Sequence, residues 1–307
     1  MITFFKTLAY RKVNALNERK QHVLNAAKRL FLENGFANTS IQNILDEAGI
    51  SKGTFYNYFN SKNECLISII EDSTENSSVL REELAAGRQD GPGLLADQIL
   101  VRLQMNREQK IIRLYEAILH SGDPDLRNYM KAVHLSELAW LERRLTDVYG
   151  EQSRPFAADA ALMHFGMLGQ YLQFAPDITS TEELSNRILF VTKRTEALLK
   201  DMAETDEHLL EAGQFVLSAD SPTLPSPRGV AADLLRLADT LPSERRETGR
   251  EFAVFLSGEL SEERPRTALL KTVAVPFRRL FDGLPNESEV RTVMSALWRL
   301  LAPDEIR

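Results

Sequence analysis

This chain of 307 residues has a single cysteine, Cys65, so no internal disulfide framework is open to it, and one thiol fits a reducing cytoplasm. No apolar run approaches the roughly 18 residues that a membrane-spanning helix needs. The start, MITFFKTLAY, lacks both the long apolar core and the small-residue cleavage site of a signal peptide. Proline and glycine, at 12 and 15 residues, are too sparse for a low-complexity polymer. The signatures of catalysis are missing as well: there is no HExxH, no GxxxxGKS or GxxxxGKT, no GxSxG, no GxGxxG after a strand and no paired cysteines. An enzyme reading therefore has little to stand on, and no cofactor or metal is called for. Alternating strand patterns of useful length are also lacking, which leaves an all-α fold.

What is present is unevenly distributed. The net charge is −7, yet residues 1–62 carry nine Lys and Arg against four Asp and Glu, or +5, and the remainder holds −12. A basic head on an acidic body is the asymmetry expected when one end of a chain meets phosphate and the other does not.

The head contains the most informative stretch, Thr39 to Lys62, TSIQNILDEAGISKGTFYNYFNSK. Ile41, Ile44, Leu45 and Ala48 keep a helical period, Gly49 supplies a left-handed C-cap, and a second helix opens after Ser51, which together predict a helix-turn-helix. Thr39 or Ser40 can N-cap the first helix and Ser51 the second, while Ser61 with Glu64 forms a capping box for the helix that follows. On a wheel of about 100° per residue, Phe55 and Phe59 share the face that must be buried. Gly53 and Asn57 lie roughly opposite, flanked by Thr54 on one side and by Tyr56 and Asn60 on the other.

That is an odd surface for a helix facing only water. Glycine lets a helix sit close to base edges, Asn57 can pair with adenine, Thr54 can touch a thymine methyl, and Lys52 can reach guanine or a phosphate. The hydroxyls of Tyr56 and Tyr58, with Lys62, suit phosphate clamping. The candidate DNA-contact set is thus Thr39, Ser40, Ser51, Lys52, Gly53, Thr54, Tyr56, Asn57, Tyr58 and Lys62. A preceding helix, Asn17 to Asn34, has the core stripe Val23, Ala26, Ala27, Leu30 and Phe31 and ends at Gly35.

The run GISKGTFYNYFNSKNECL, preceded by a helix ending FLENGF and then by TSIQNI, resembles the DNA-binding domain of TetR-like bacterial transcriptional regulators over about residues 19–66. The resemblance implies a three-helix DNA-binding unit, a fourth helix that tilts to report effector binding, and a body in which two late helices form a four-helix dimer interface. Beyond Leu66 it is architectural at most.

Five segments follow. Residues 1–17 are an N-terminal extension in which apolar residues recur at near-helical spacing among Lys6, Arg11 and Lys12; a self-packed extension is preferred to a basic arm. Residues 18–62 are the helix-turn-helix domain. Residues 63–217 are a helical effector and dimerisation domain whose first part, 63–86, is a connector helix. Its further helices are expected at Leu94–Met105, Glu108–His120, Asp125–Tyr149, Pro155–Phe174 and Thr181 to about Leu217. Residues 218–229, SADSPTLPSPRG, read as a Pro-rich linker. Residues 230–307 form a C-terminal extension of four short amphipathic helices, a small module or an addition to the body, for which the resemblance offers no function.

Within the body, Leu184, Ile188, Val191, Thr195, Leu198 and Met202 fall at alternating spacings of four and three, and Phe165, Leu168 and Leu172 repeat the scheme beside Gly166 and Gly169. Core packing within one chain would give the same pattern. The resemblance selects Phe165, Leu168, Leu172, Leu184, Ile188, Val191 and Leu198 as the dimer contact. Tyr115, His120, His134, Trp140, Met163, Met167 and Gln170 are candidates for an effector pocket, against the competing reading of ordinary core. Glu116 with His120 and His134 with Glu137 have metal-compatible spacing, but ion pairing or plain surface accounts for them better, since no Cys or His cluster completes a site.

The expectation is a cytoplasmic, homodimeric, sequence-specific DNA-binding regulator, a repressor released by a small molecule, acting on a near-palindromic double-stranded operator. The alternative is a DNA-bound interaction protein whose C-terminal helices dock a protein partner and which has no small-molecule effector.

Overall fold

The computed structural model describes residues 19–86, 88–174, 180–215, 226–284 and 286–301. The N-terminal extension, most of the Pro-rich linker and the side chain of His120 lie outside the described residues. Every regular element among those described is helical, and the chain is all-α. Contacts divide it into two compact units, Met1–Ala86 with Lys110–Ala117 and Thr223–Arg307, and Gly87–Gln109 with Ile118–Pro222.

The first unit begins with α1, residues 19–34, followed by α2 (Ile41–Ala48), α3 (Lys52–Tyr56) and α4 (Lys62–Ala85). Val23, Ala26, Ala27 and Phe31 of α1 are buried, as are Ile44, Leu45 and Ala48 of α2 and Leu66, Ile69 and Ile70 of α4. Ser61 caps α4 by accepting from the Glu64 amide at 3.0 Å. The Glu64 carboxylate reaches back to the amide of Asn60 at 2.6 Å, one residue earlier than the expected capping box.

After α5 (Pro92–Glu108), α6 (Ile111–Ser121), α7 (Pro124–Tyr149), α8 (Ala157–Phe174) and α9 (Thr181–Thr205), the chain returns to the first unit with α10 (Pro227–Thr240), α11 (Ser243–Glu259), α12 (Thr267–Arg279) and α13 (Glu287–Leu301). Leu234, Leu237, Leu256, Leu270, Phe277, Phe281, Met294 and Leu297 close these four helices around one core. That core also takes in Val79 of α4, with Ala86 packed against it. The C-terminal helices are thus seated on the connector helix.

The second unit is a bundle in which α7, α8 and α9 pack together and α5 lies on α9. Its last long helix stops at Thr205, short of the expected end near Leu217, because Asp206 takes a left-handed conformation (φ 56°) and returns its N–H to the Met202 carbonyl. The segment beyond is pinned by buried carboxylates. Asp159 accepts from the amides of Leu209 and Leu210 at 2.8 and 2.9 Å, and Glu142 accepts from the amide of Gly213 at 2.6 Å.

Candidate nucleic-acid interface

Local chemistry sets the geometry of α2 and α3. Ser40 N-caps α2 and exchanges two bonds with Asn43, at 3.1 Å to the Asn43 amide and 2.9 Å from its own amide to Asn43 Oδ1. At the other end Gly49 sits at φ 61°, ψ 38° and donates its N–H to Leu45 O, a conformation that any Cβ would strain. Two residues later Ser51 accepts from the Thr54 amide at 3.1 Å and shares a 2.9 Å bond with the Thr54 hydroxyl. The chain therefore turns within Gly49, Ile50 and Ser51.

The second helix is shorter than its periodicity predicts, ending at Tyr56, but Asn57 N–H still bonds Gly53 O at 3.1 Å and Phe59 N–H bonds Phe55 O at 3.0 Å. The face assignments of a longer helix are kept. Phe55 and Phe59 are fully buried with ring centroids 5.4 Å apart, and Tyr56 stands edge-on to Phe55 at 5.6 Å. Ser51, Lys52, Gly53, Tyr56 and Asn57 are exposed together, with Thr54 and Tyr58 half-buried beside them. Lys52 Nζ lies 6.0 Å from the Tyr56 ring centroid.

Gly53 has no internal reason to be glycine. A Cβ there would meet nothing nearer than Ser51 Oγ at 3.8 Å, an ordinary contact, and glycine costs a helix about 1 kcal/mol relative to alanine.

Two candidate contacts are also engaged within the chain. Thr39 is 1% exposed, and its hydroxyl donates to Gly35 O at 2.8 Å, so the side chain is an internal brace and Ser40 alone caps α2. Lys62 does not stand free at the helix start. Its ammonium donates to Phe36 O and Thr39 O, each at 2.7 Å, and lies 4.3 Å from the Phe36 ring centroid, so it ties α4 to the turn between α1 and α2. Partial burial lowers its pKa from the ordinary lysine value.

Residues 23–69 match the family model of bacterial regulatory proteins, tetR family. Two uncharacterized HTH-type transcriptional regulators of Bacillus subtilis (strain 168) are similar to the chain: YerO, 29% identical over 200 residues (62% of this chain, 68% of YerO), and YuxN, 22% identical over 264 residues (83% and 90%). The HTH-type transcriptional regulator AcrR of Shigella flexneri is 31% identical over 105 residues, 34% of this chain and 49% of AcrR. Residues 23–69 are thus similar to the DNA-binding domain of TetR-family regulators, and the relatives that reach beyond it are HTH-type transcriptional regulators. The likeness to YuxN covers 83% of this chain, a share that cannot be reached without part of α10–α13.

In the body of the chain the expected dimer residues are placed differently. Leu184, Ile188 and Val191 are fully buried and Leu168 nearly so, all inside the core of one bundle, while Phe165, Leu172 and Leu198 are half-buried. The seam of alternating spacings belongs to the interior because α9 turns that stripe toward α5 and α8. The outward face of α8 is shifted around the helix. It shows Leu162 (46% exposed), Met163, Gly166, Gly169 and Phe174 (72%), with Phe190 (48%) outward on α9. Gly166 and Gly169, which the sequence sets beside Phe165, Leu168 and Leu172, lie on this outward face, a step around the helix from that stripe.

The pocket candidates scatter in the same way. Met163 and Gln170 are exposed, whereas Trp140 and Met167 pack against the core and His134 meets the Phe165 ring at 5.7 Å. Tyr115 falls in the segment Lys110–Ala117 of the other unit. Glu137 pairs with Arg102 at 3.6 Å, the ion-pair alternative to a metal site. One polar group stands out among them: His164, 1% exposed, bonds Thr195 Oγ1 through Nδ1 at 2.9 Å, and its Nε2 has no hydrogen-bond partner among the described residues. Burial holds its pKa down at about 4. No helix among the described residues is long and apolar enough to cross a membrane.

Proposed function

We propose that the chain reads a near-palindromic DNA site as a homodimer and represses transcription until a small molecule binds its body. The observation that carries the DNA-reading part is Gly53. It is exposed, free of any internal steric demand and one helical turn from Asn57, so its missing Cβ makes sense as room for a base edge or backbone outside the chain. Ser51, Lys52, Thr54, Tyr56, Asn57 and Tyr58 surround that opening with donors and acceptors.

The dimer part rests on the outward face of α8 and α9. A Cβ at Gly166 or Gly169 would meet nothing within 4 Å, so both glycines lower helix stability with no internal return, while Leu162, Phe174 and Phe190 expose apolar surface beside them. A second copy laid against this face gains close backbone approach, and a pair of chains carries the two α3 helices that a two-part DNA site needs. Release by a small molecule rests on the likeness to TetR-like regulators, with His164 as the buried polar group best suited to turn toward a ligand.

Selection of bound sequences from random DNA by the full chain tests the reading. The expected product is a two-part site. Failure to enrich any sequence, or a Gly53→Ala variant that binds the enriched site as tightly as the parent, would overturn it.

A further inference from the structure

The C-terminal helices seat on α4 through a specific set of contacts. Asp72, Val79 and Glu83 lie on one stripe of α4 at i, i+7 and i+11. Val79, 3% exposed, enters the core made by Leu234, Leu256, Phe277 and Met294. Arg291 of α13 donates to Asp72 Oδ1 at 3.0 Å, Arg278 of α12 pairs with Glu83, and Lys271 lies 4.0 Å from Glu82. Glu83 has only 8% of its side chain exposed, and burial raises its pKa against the pull of Arg278.

The start of α4 is tied to the DNA-binding helices as well, by the Lys62 ammonium that donates to Phe36 O and Thr39 O. Lys28, on α1 of the DNA-binding unit, is partly buried and lies within the field of the Asp72 carboxylate, which offsets part of its desolvation. α4 is thus held at its start by the turn between α1 and α2 and farther along by the last helix. Displacing α4 along or around its axis would have to disturb both ties, the second at a site with side-chain exposures of 27% for Asp72 and 21% for Arg291.

We propose that the C-terminal four-helix module is an intramolecular regulator of DNA binding, a brace that fixes the position of α4 against the DNA-binding helices through Arg291 and Asp72. The inference rests on the DNA-binding reading for its consequence, but not for its geometry. A module that were only an appendage would need burial of its own core and nothing more. Here three of its cations are directed at three acids of the helix that leads out of the DNA-binding domain.

The test uses the full chain and its Arg291→Ala, Arg291→Lys and Asp72→Asn variants. Backbone hydrogen exchange is followed in α1, α4 and α13, and dissociation constants are measured on the duplex that the parent enriches from random DNA. The expected result is that Arg291→Ala speeds exchange in α1 as well as in α13 and shifts the dissociation constant by about fivefold or more, the lower end of ordinary coupling between sites. Arg291→Lys should return both readouts toward the parent, and Asp72→Asn should disturb α1 at least as much as Arg291→Ala. Faster exchange confined to α13, with α1 and the DNA affinity unchanged, would overturn the brace. If the parent enriches no DNA, the DNA-binding reading fails on its own and the exchange in α1 still decides the coupling.

Discussion

Two sets of short helices meet α4, one from each end of the sequence, and they use their polar groups in opposite ways. The N-terminal set keeps Lys52, Gly53, Tyr56 and Asn57 exposed, with nothing inside the chain requiring that combination. Lys271, Arg278 and Arg291 of the C-terminal set are instead spent on acids of α4. Donors left free at a surface mark a face built for something outside the molecule, and donors consumed internally mark a face built to hold a neighbour. Lys62 sits in the first set but behaves like the second.

The contrast breaks most visibly in the cores. Phe55→Ala and Phe277→Ala each remove a fully buried ring and should cost about 3–5 kcal/mol in denaturant unfolding. Only Phe55→Ala should also erase the exposed face of α3, so DNA binding is expected to vanish with it and to persist, weakened, in Phe277→Ala. A smaller effect is expected at Lys62. If it is a tie and not a phosphate clamp, Lys62→Ala leaves two carbonyls without a charged donor and should lower stability by about 1.5–3 kcal/mol with no DNA present. An unchanged melting temperature with a reduced salt dependence of binding would return Lys62 to the outward-facing group.

His164 adds a control from the other unit. Its folded pKa of about 4 lies below the ordinary histidine value, so its contribution to stability is complete above about 6.5 and is lost as pH falls toward 4, where the unfolded chain takes up a proton that the folded one refuses. The melting temperature should therefore fall across that window, and His164→Asn should flatten the fall. Asn57→Ala comes next, with about 1–3 kcal/mol lost on the enriched DNA and stability unchanged within about 0.5 kcal/mol. Smallest is Gly53→Ala, which should raise stability by at most about 1 kcal/mol while weakening DNA binding. Weaker binding together with a more stable fold is an outcome that a purely internal role for Gly53 does not produce.

How much of this could be read from the chain depended on distance along it. The turn was legible because Ser40, Gly49 and Ser51 act within three or four residues, and each does locally what its chemistry requires. The exposed face of α3 followed from two phenylalanines four apart. By contrast, the stripe Leu184, Ile188, Val191 has the spacing of an interface and of a core alike, and only the packing of α9 decides between them. Thr39 and Lys62 looked like surface donors since the carbonyls they satisfy, on Gly35, Phe36 and Thr39, carry no sequence signal. The seating of the C-terminal helices was invisible for a further reason: Arg291 and Asp72 are 219 residues apart, and no local pattern connects them.

Cys65 lies on α4 with no accessible surface, and burial pushes its thiol up to about 12, so almost none of it is thiolate at neutral pH. The folded chain is therefore a nearly silent background for thiol chemistry, and a cysteine introduced at an exposed position such as Asn57 would be the group that a maleimide dye finds first. The same residue that rules out a disulfide framework makes site-specific fluorescence at the end of α3 available without first removing a native thiol.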